Sequence, residues 1–203
     1  MNEAIVTLKK GEGRTIKAGG AWIFDNEIDS IMGHFHNGDV VAVRDFDGYP
    51  MGKGFINQNS RIRIRMLTRE PDQKIDDAFL RMRLLNAWQY RKAVMSGGNP
   101  PETTGTGTTG MPDLNCCRIV FGEADFLPGL TIDKYDDLLV VECLALGMEA
   151  FKEKAAAMMK EILKTDGIEI RGVYERSDAR ERIKEGLPKV KGCMGDTFVP
   201  ETR

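Results

Sequence analysis

The chain has 203 residues, 41% of them hydrophobic, and a formal net charge of −2 at pH 7. This composition supports one large or two small packed domains and argues against global disorder. Because the net charge is close to neutral, binding to nucleic acid would require a local basic face. No apolar run approaches the length of a membrane span, and the first residues lack a secretory signal, so we expect a cytoplasmic protein with no membrane partner.

The residue types that most often bind metals or act as nucleophiles are few in this chain. They are Cys116, Cys117, Cys143, Cys193, His34 and His36. Their spacing matches no zinc motif and no activating base is evident, so we predict neither a metal site nor a catalytic cysteine. The adjacent thiols of Cys116 and Cys117 are predicted to be packed in a protein of a reducing compartment.

The first 70 residues predict short strands joined by turns. The Asp47-Gly48 pair is a strong hairpin signal between two of these strands. The predicted strands are Ala4–Leu8, Trp22–Phe24, Asp39–Arg44, Tyr49–Phe55 and Ser60–Leu67. Together they indicate a small β-barrel-like domain.

The strand Ser60–Leu67 has the clearest period. Its apolar and basic residues alternate, which gives it one apolar face and one basic face. The two sets are Ile62, Ile64 and Met66, and Arg61, Arg63 and Arg65. Three like charges on one face repel each other and favour a partner such as phosphate. A half-buried strand with a solvated basic face is the alternative, and the sequence leaves both open.

After Pro71-Asp72 the pattern changes to longer helices and further strands, which predicts a mixed α+β domain at residues 74–203. The predicted helices are 75–95, 149–164 and the short segment Ala179–Lys184, which Ser177 or Asp178 caps. The predicted strands are Arg118–Phe121, Leu130–Asp133, Leu138–Leu144 and Glu169–Tyr174. The predicted fold class is therefore α+β, with a small β-barrel-like domain followed by a mixed α+β domain.

Residues 96–113 are rich in Gly, Thr and Pro and predict a flexible surface loop. The loop contains Gly105–Gly110 in the pattern G-x-G-x-x-G. A dinucleotide site needs a strand before this pattern and a helix after it, and neither is predicted here. We therefore predict no cofactor site in the loop, and a nucleotide-dependent enzyme that uses it is the weakest of the alternatives.

The segment 122–133 combines two carboxylates, Glu123 and Asp125, with a turn. Pro128 presets φ at the first corner of that turn, and Gly129 permits a positive φ at the second, which predicts a type II turn. The strand that follows is predicted to form a hairpin broken at Asp136-Asp137. Alone, this segment indicates only an acidic hairpin connection.

Four segments together resemble one family. They are residues 122–135, residues 174–178 followed by Arg182 and Glu185-Gly186, the strand Trp22–Phe24, and residues 59–65. They resemble the S-adenosylmethionine (SAM)-dependent 23S ribosomal RNA cytosine-C5 methyltransferases that begin with a PUA domain. The resemblance implies a PUA domain at residues 1–70, a central α+β domain at 74–203, and a Rossmann-like catalytic domain that these 203 residues lack.

The resemblance also implies the chemistry of the complete enzyme. A cysteine thiolate attacks C6 of the target cytosine, a methyl group passes from SAM to C5, and a proton leaves. The catalytic and SAM-binding residues belong to the absent domain, so this chain alone is expected to be inactive and to bind no SAM. Two departures from the family pattern stand out: Phe126 replaces a small residue, often Gly, and Gly20-Ala21 replaces a His-Pro pair.

The resemblance implies that 23S rRNA is the partner, and it gives the basic residues a role. The predicted RNA contacts are Arg14, Lys17, Trp22, Arg61, Arg63, Arg65, Arg176 and Arg180. Trp22 is interpreted either as a stacking platform for a base or as a core residue. Glu123, Asp125, Arg176 and Arg180 either line a channel toward the catalytic domain or form salt bridges within their own domain. A homodimer and a stand-alone module that binds RNA or protein without catalysis are the open alternatives.

Overall fold

The computed structural model describes residues 3–95 and 114–195 and contains two β-sheets with helices, which confirms the predicted α+β class. The predicted loop 96–113, with its Gly105–Gly110 pattern, lies outside the described residues. The strands are β1 (Ile5–Leu8), β2 (Trp22–Phe24), β3 (Ile28–Met32), β4 (Val40–Arg44), β5 (Pro50–Ile56), β6 (Ile62–Thr68), β7 (Cys116–Phe121), β8 (Leu130–Tyr135), β9 (Leu138–Cys143), β10 (Gly172–Ser177) and β11 (Val190–Met194). The helices are α1 (Arg14–Lys17), α2 (Asp77–Met95), α3 (Leu146–Glu149), α4 (Lys152–Thr165) and α5 (Glu181–Lys184).

The first sheet has the strand order β2-β6-β5-β4-β1-β3 and encloses its own apolar core. All five strands predicted in this region are present, with ends shifted by one or two residues. The alternation along β6 is confirmed where it matters for packing, because Ile64 and Met66 are buried in this core. Two elements were not predicted: β3, which pairs with β1, and the short helix α1.

The second sheet has the order β11-β10-β9-β8-β7, and helices α2 and α4 pack together on one of its faces. The core between them contains Ile132 and Val141 from the sheet and Leu84, Trp88 and Met159 from the helices. In β8 and β10, every second residue lies on the face of the sheet opposite to this core. Polar and aromatic residues are therefore left on a sheet face that no helix of the described chain covers.

The predicted turns of the segment 122–133 are confirmed. The amide of Leu130 donates to the carbonyl of Leu127 (3.0 Å), and Gly129 has a φ of 74°, as a type II turn requires. The β8–β9 hairpin turns at Asp136-Asp137, because Tyr135 is paired with Leu138.

Four details of the second half were predicted wrongly. Strand β10 runs over Gly172–Ser177 rather than Glu169–Tyr174, because its parallel pairing with β9 begins at Gly172 opposite Leu138. The hydroxyl of Ser177 accepts a bond from the amide of Cys143 (3.0 Å) and does not cap α5, which has no side-chain cap. The predicted helix 149–164 is divided into α3 and α4, and strand β11 was missed.

The two sheets share apolar contacts. Phe55 of β5 and Leu67 of β6 belong to the core of the second sheet rather than to that of the first. The ring of Phe55 fills the space where a side chain on Gly147 of α3 would lie. A boundary between domains near residue 70 stays a prediction, since residues before it complete the core after it.

Candidate RNA interface

The eight predicted RNA contacts differ in exposure and in the contacts that they make within the chain. Some have exposed side chains and no carboxylate partner among the described residues, whereas others are held by ion pairs within the chain. Arg14 on α1, Arg61 before β6 and Arg180 before α5 belong to the first group. Arg176 on β10 is also exposed and lies at the limit of contact with Asp178 (4.0 Å). The geometry leaves these four arginines accessible to a ligand.

Lys17 is committed to a contact within the first sheet. Its ammonium donates to Asp45 (2.8 Å) and lies 5.7 Å from the centre of the Tyr49 ring. The hydrogen bond from Lys17 holds the pKa of the Asp45 carboxyl below its usual value. A phosphate at Lys17 would therefore have to compete with an existing carboxylate.

Arg65 is neutralised by two carboxylates, so the like-charge argument for a phosphate partner is wrong at this position. Its guanidinium donates to Glu123 (3.1 Å) and to Glu185 (2.9 Å), and its side chain is only 14% exposed. Arg63 makes one long bond, to the carbonyl of Asn57 (3.4 Å). Contacts of Arg61 and Arg63 with RNA stay predictions.

Trp22 is 42% exposed, so its interpretation as a core residue is wrong. Its indole N–H donates to Glu123 (2.7 Å), and the guanidinium of Arg65 lies 5.7 Å from its ring centre. The ring is fixed in place by these contacts while part of it faces solvent. Stacking of a base on Trp22 stays a prediction.

A polar cluster joins the two sheets, and we call it the junction cluster. It consists of Trp22, Asn57 and Arg65 from the first sheet and Glu123 and Glu185 from the second half of the chain. The Asn57 amide donates to both the carbonyl (2.9 Å) and the carboxylate (3.0 Å) of Glu185. Two of the four segments that carry the family resemblance therefore each contribute a carboxylate to Arg65 of β6.

The other residues of the motif segments make contacts within the second half of the chain. Asp125 accepts a bidentate pair from Arg91, with the shorter distance 2.6 Å, which confirms its salt-bridge interpretation. Glu123 is also in a salt bridge, but its partner Arg65 lies in the other sheet, which sequence spacing could not indicate.

A second polar network lies beneath the second sheet, around the fully buried Arg182. Arg182 donates to both carboxylate oxygens of Glu149 and to the carbonyls of Cys143 and Pro188. Lys152 donates to Glu149 and to Glu175, both at 2.6 Å. The sequence identified Arg182 and Glu175 only as parts of a motif, whereas the structure shows that they hold α3, α4, α5 and β10 together.

Three neighbouring cavities share lining residues, and we call them together the junction groove. The cavities measure about 470, 320 and 610 Å³. Arg69 lines the first and the second, whereas Arg83 and Phe126 line the second and the third. Within the described part of the chain, Arg69 donates to the backbone carbonyls of Ile16 and Gly20 and to no carboxylate. Arg69 and Arg83 were not predicted to take part in a site, and the unusual Phe126 was the one signal in the sequence that pointed to this place.

The described residues offer no metal site: no cluster of three His, Cys, Asp or Glu side chains is placed to hold an ion within 3–95 and 114–195. In the same ranges, none of the helices combines the length and the hydropathy needed to cross a bilayer.

The cysteines differ sharply in accessibility, which gives a prediction about their reactivity. Burial raises the pKa of the Cys143 thiol to about 12, whereas Cys116 is exposed. The prediction that Cys116 is packed is therefore wrong. Because the thiolate is the reactive form, we expect iodoacetamide to alkylate Cys116 in the native protein and to leave Cys143 unmodified until urea unfolds the chain. Peptide mass mapping checks this, and native modification of Cys143 would contradict the buried position.

Comparison with known proteins places these features in context. Residues 6–69 match the family model of the PUA-like domain. The chain is similar to Ribosomal RNA large subunit methyltransferase I of Alteromonas mediterranea, with 32% identity over 191 residues, and to that of Pseudoalteromonas translucida, with 33% over 189 residues. These alignments cover 94% and 93% of this chain but 43% of each relative. The chain thus spans less than half the length of these relatives.

Solved structures share the fold. A protein of Streptococcus mutans assigned as a SAM-dependent methyltransferase matches with a TM-score of 0.69 and 12% identity, over 97% of this chain and 44% of its own. At this identity the match shows a common fold alone. The chain therefore carries a PUA-like domain at residues 6–69, within a two-sheet fold whose sequence is similar to the large subunit ribosomal RNA methyltransferases.

Proposed function

We propose that this chain is the RNA-recognition part of a SAM-dependent 23S rRNA methyltransferase that modifies cytosine at C5, with the catalytic domain outside these 203 residues. The observation that carries the proposal is the similarity over 94% of the chain to a ribosomal RNA large subunit methyltransferase, of which the chain spans 43%. The PUA-like match at residues 6–69 agrees with it. The cytosine-C5 and 23S assignments rest on the resemblance of the motif segments.

The local arrangement of exposed arginines supports an RNA-binding surface. Arg14, Arg61 and Arg180 are exposed and have no carboxylate partner in the described part of the chain. Such arginines can donate to phosphate without breaking an existing ion pair. Lys17 and Arg65 are already paired, so we assign them to holding the surface in shape rather than to contacting RNA.

The described residues do not fit SAM. Nucleotide-like cofactors on α/β folds bind where a strand leads through a glycine turn to the N-terminus of a helix. Here the connection from β9 leads to α3, and the ring of Phe55 occupies the space beside its Gly147. We derive no methyl-transfer step from these residues. We propose that the chain alone neither binds SAM nor transfers a methyl group.

We expect the 203-residue chain to bind RNA from the large ribosomal subunit with micromolar-range affinity that falls steeply with salt. Each phosphate contact contributes about −0.7 to the slope of log affinity against log salt for a single strand. The triple variant Arg14→Gln, Arg61→Gln, Arg180→Gln should make this negative slope shallower by about two. Fluorescence anisotropy at several salt concentrations measures this.

The matched control is Arg118→Gln, which removes an exposed arginine that Asp133 already holds. This control should leave the salt slope unchanged. An affinity of the parent chain that does not vary with salt would contradict the proposal. Incubation with labelled SAM and rRNA should give no methyl transfer, and turnover by the purified chain would show that the catalytic residues are wrongly assigned.

Two further aspects stay predictions of the same proposal. We propose that the protein works in the cytoplasm, where ribosomal RNA is its partner. A homodimer is the open alternative to a monomer, and sedimentation of the purified chain distinguishes them.

A further inference from the structure

Phe126 is held in a backbone conformation that disfavours it. Its φ of 57° and ψ of 33° place it in the left-handed region, where a side chain is strained and glycine is not. Burial does not account for the strain, because Phe126 is 46% exposed. Phe126 ends the short 3₁₀ turn at residues 122–125, where glycine is the residue that takes this conformation without strain, and strained residues that are not glycine concentrate at functional sites.

Arg83 lies directly beneath Phe126 and is poorly bonded. Its guanidinium carbon is 4.7 Å from the centre of the Phe126 ring and 5.0 Å from that of Phe79. Its one hydrogen bond is long, to the carbonyl of Leu67 (3.4 Å), and its buried Nε has no partner among the described residues. Burial lowers the pKa of the Arg83 guanidinium, and no carboxylate of the described chain forms an ion pair with it.

The carboxylates that line the junction groove beside Arg83 are mostly neutralised by other cations. Glu123 is paired with Arg65, and Asp125 with Arg91. Glu70 also lines the groove, at its exposed edge. Among the described residues no carboxylate neutralises Arg83, which favours an anionic ligand at this position.

The groove beside Arg83 also offers aromatic surface. Its largest cavity, of about 610 Å³, is lined by Tyr90 and Phe121 as well as by Phe126, and all three rings are exposed. This volume lies in the range of cavities that hold a small organic ligand. Exposed rings beside an unpaired guanidinium are the combination that proteins use for single-stranded nucleic acid, with bases on the rings and phosphate on the cation.

We propose that Phe126 and Arg83 bind one unpaired nucleotide of RNA in the junction groove, with the base on the Phe126 ring and a phosphate on Arg83. The inference rests on the proposed function, because it assumes that the chain binds RNA. The strain at Phe126 places the ring at the rim of the groove, and the cation beneath it polarises its inner face. Arg69, which lines the other two cavities of the groove, would receive a neighbouring phosphate.

The test compares ring and charge variants on a labelled single strand of about a dozen nucleotides and on the matching duplex. Phe126→Gly removes the ring and suits the backbone, so it should weaken binding of the single strand about five-fold or more without changing the salt slope. Phe126→Tyr keeps the ring and should restore the affinity. Binding of the duplex, whose bases are stacked, should be unaffected.

Arg83→Gln removes one phosphate contact and should make the negative slope of log affinity against log salt shallower by about 0.7. Arg81→Gln is the matched control, since Arg81 lies on the same helix but is paired with Glu161. Thermal unfolding of each variant verifies that it is folded. Photocrosslinking of 4-thiouridine RNA should label the peptide that contains Phe121 and Phe126.

The outcomes separate this inference from the proposed function. If the parent chain binds RNA and both Phe126→Gly and Arg83→Gln bind as tightly, the nucleotide site is refuted and the proposed function stands. If the parent chain binds no RNA, both the nucleotide site and the proposed function are refuted. Equal loss of single-strand and duplex binding in Phe126→Gly would also refute stacking of an unpaired base.

Discussion

Replacement of Arg182 by Met is expected to lower the free energy of unfolding by about 3–5 kcal/mol, the largest effect of a single substitution that we foresee in this chain. Arg182 is fully buried and is the donor to Glu149 and to two backbone carbonyls. Methionine fills much of the space but removes the buried cation from Glu149, which keeps Lys152 as a donor, and leaves the carbonyls of Cys143 and Pro188 without the guanidinium donor. Urea unfolding followed by circular dichroism measures the loss.

Two comparisons make the Arg182 result specific. Arg180→Met removes an exposed arginine two residues away and should change stability by less than about 0.5 kcal/mol. Burial raises the pKa of Glu149, and hydrogen bonds from Arg182 and Lys152 more than offset this, so the pKa lies below its usual value of 4.5. The stabilisation from Glu149 is therefore present above pH 4.5 and is lost as the pH falls further.

In Arg182→Met the carboxylate loses its strongest partner, and protonation removes its charge. The difference in stability between the parent and the variant should therefore narrow below pH 4.5. A difference that stays constant from neutral to acid pH would show that lost packing, rather than the unpaired carboxylate, causes the effect.

Replacement of Arg65 by Met is expected to cost about 2–4 kcal/mol. The substitution leaves Glu185 buried without its cation and removes the second donor to Glu123. The effect should be somewhat smaller than at Arg182, because Arg65 retains some exposure and Trp22 still donates to Glu123. Urea unfolding gives the magnitude, and a shift in the emission of Trp22 reports the change at the junction cluster.

Arg63→Met is the matched control for Arg65. It lies two residues earlier on the same strand and makes only a long bond to a carbonyl, so its loss should cost under about 1 kcal/mol. If the two variants are equally stable, the paired carboxylates of Arg65 are hydrated rather than buried.

Local pattern was sufficient to predict most of the first sheet and the turns. The alternation in β6 and the Pro128-Gly129 pair depend on residues that are neighbours in sequence, so their geometry follows from side-chain period and turn chemistry. Strand β3 was missed because Asp29 and Ser30 interrupt its apolar residues, and its pairing with β1 supplies what its pattern lacks. Ser177 looked like a helix cap because sequence does not show that it lies against Cys143.

The site depended on contacts between distant residues. Arg65 lies 58 residues from Glu123 and 120 from Glu185, and no periodicity links them. The resemblance to a family pointed to Glu123 and Glu185 but did not identify Arg65 as their partner. Phe126 was noticed as an unusual residue, but only the backbone angle and the position of Arg83 connect it to a groove.

The contact of Phe55 with Gly147 has a consequence for how this fold can be recombined. The ring comes from the first sheet and the space comes from helix α3, so the two positions must be inherited as a pair. A chimera that joined residues 1–70 of one relative to the rest of another would pack correctly only if the side chain at position 55 fitted the space beside position 147. A side chain at position 147 would require a smaller residue at position 55, so a change at one position calls for a compensating change at the other.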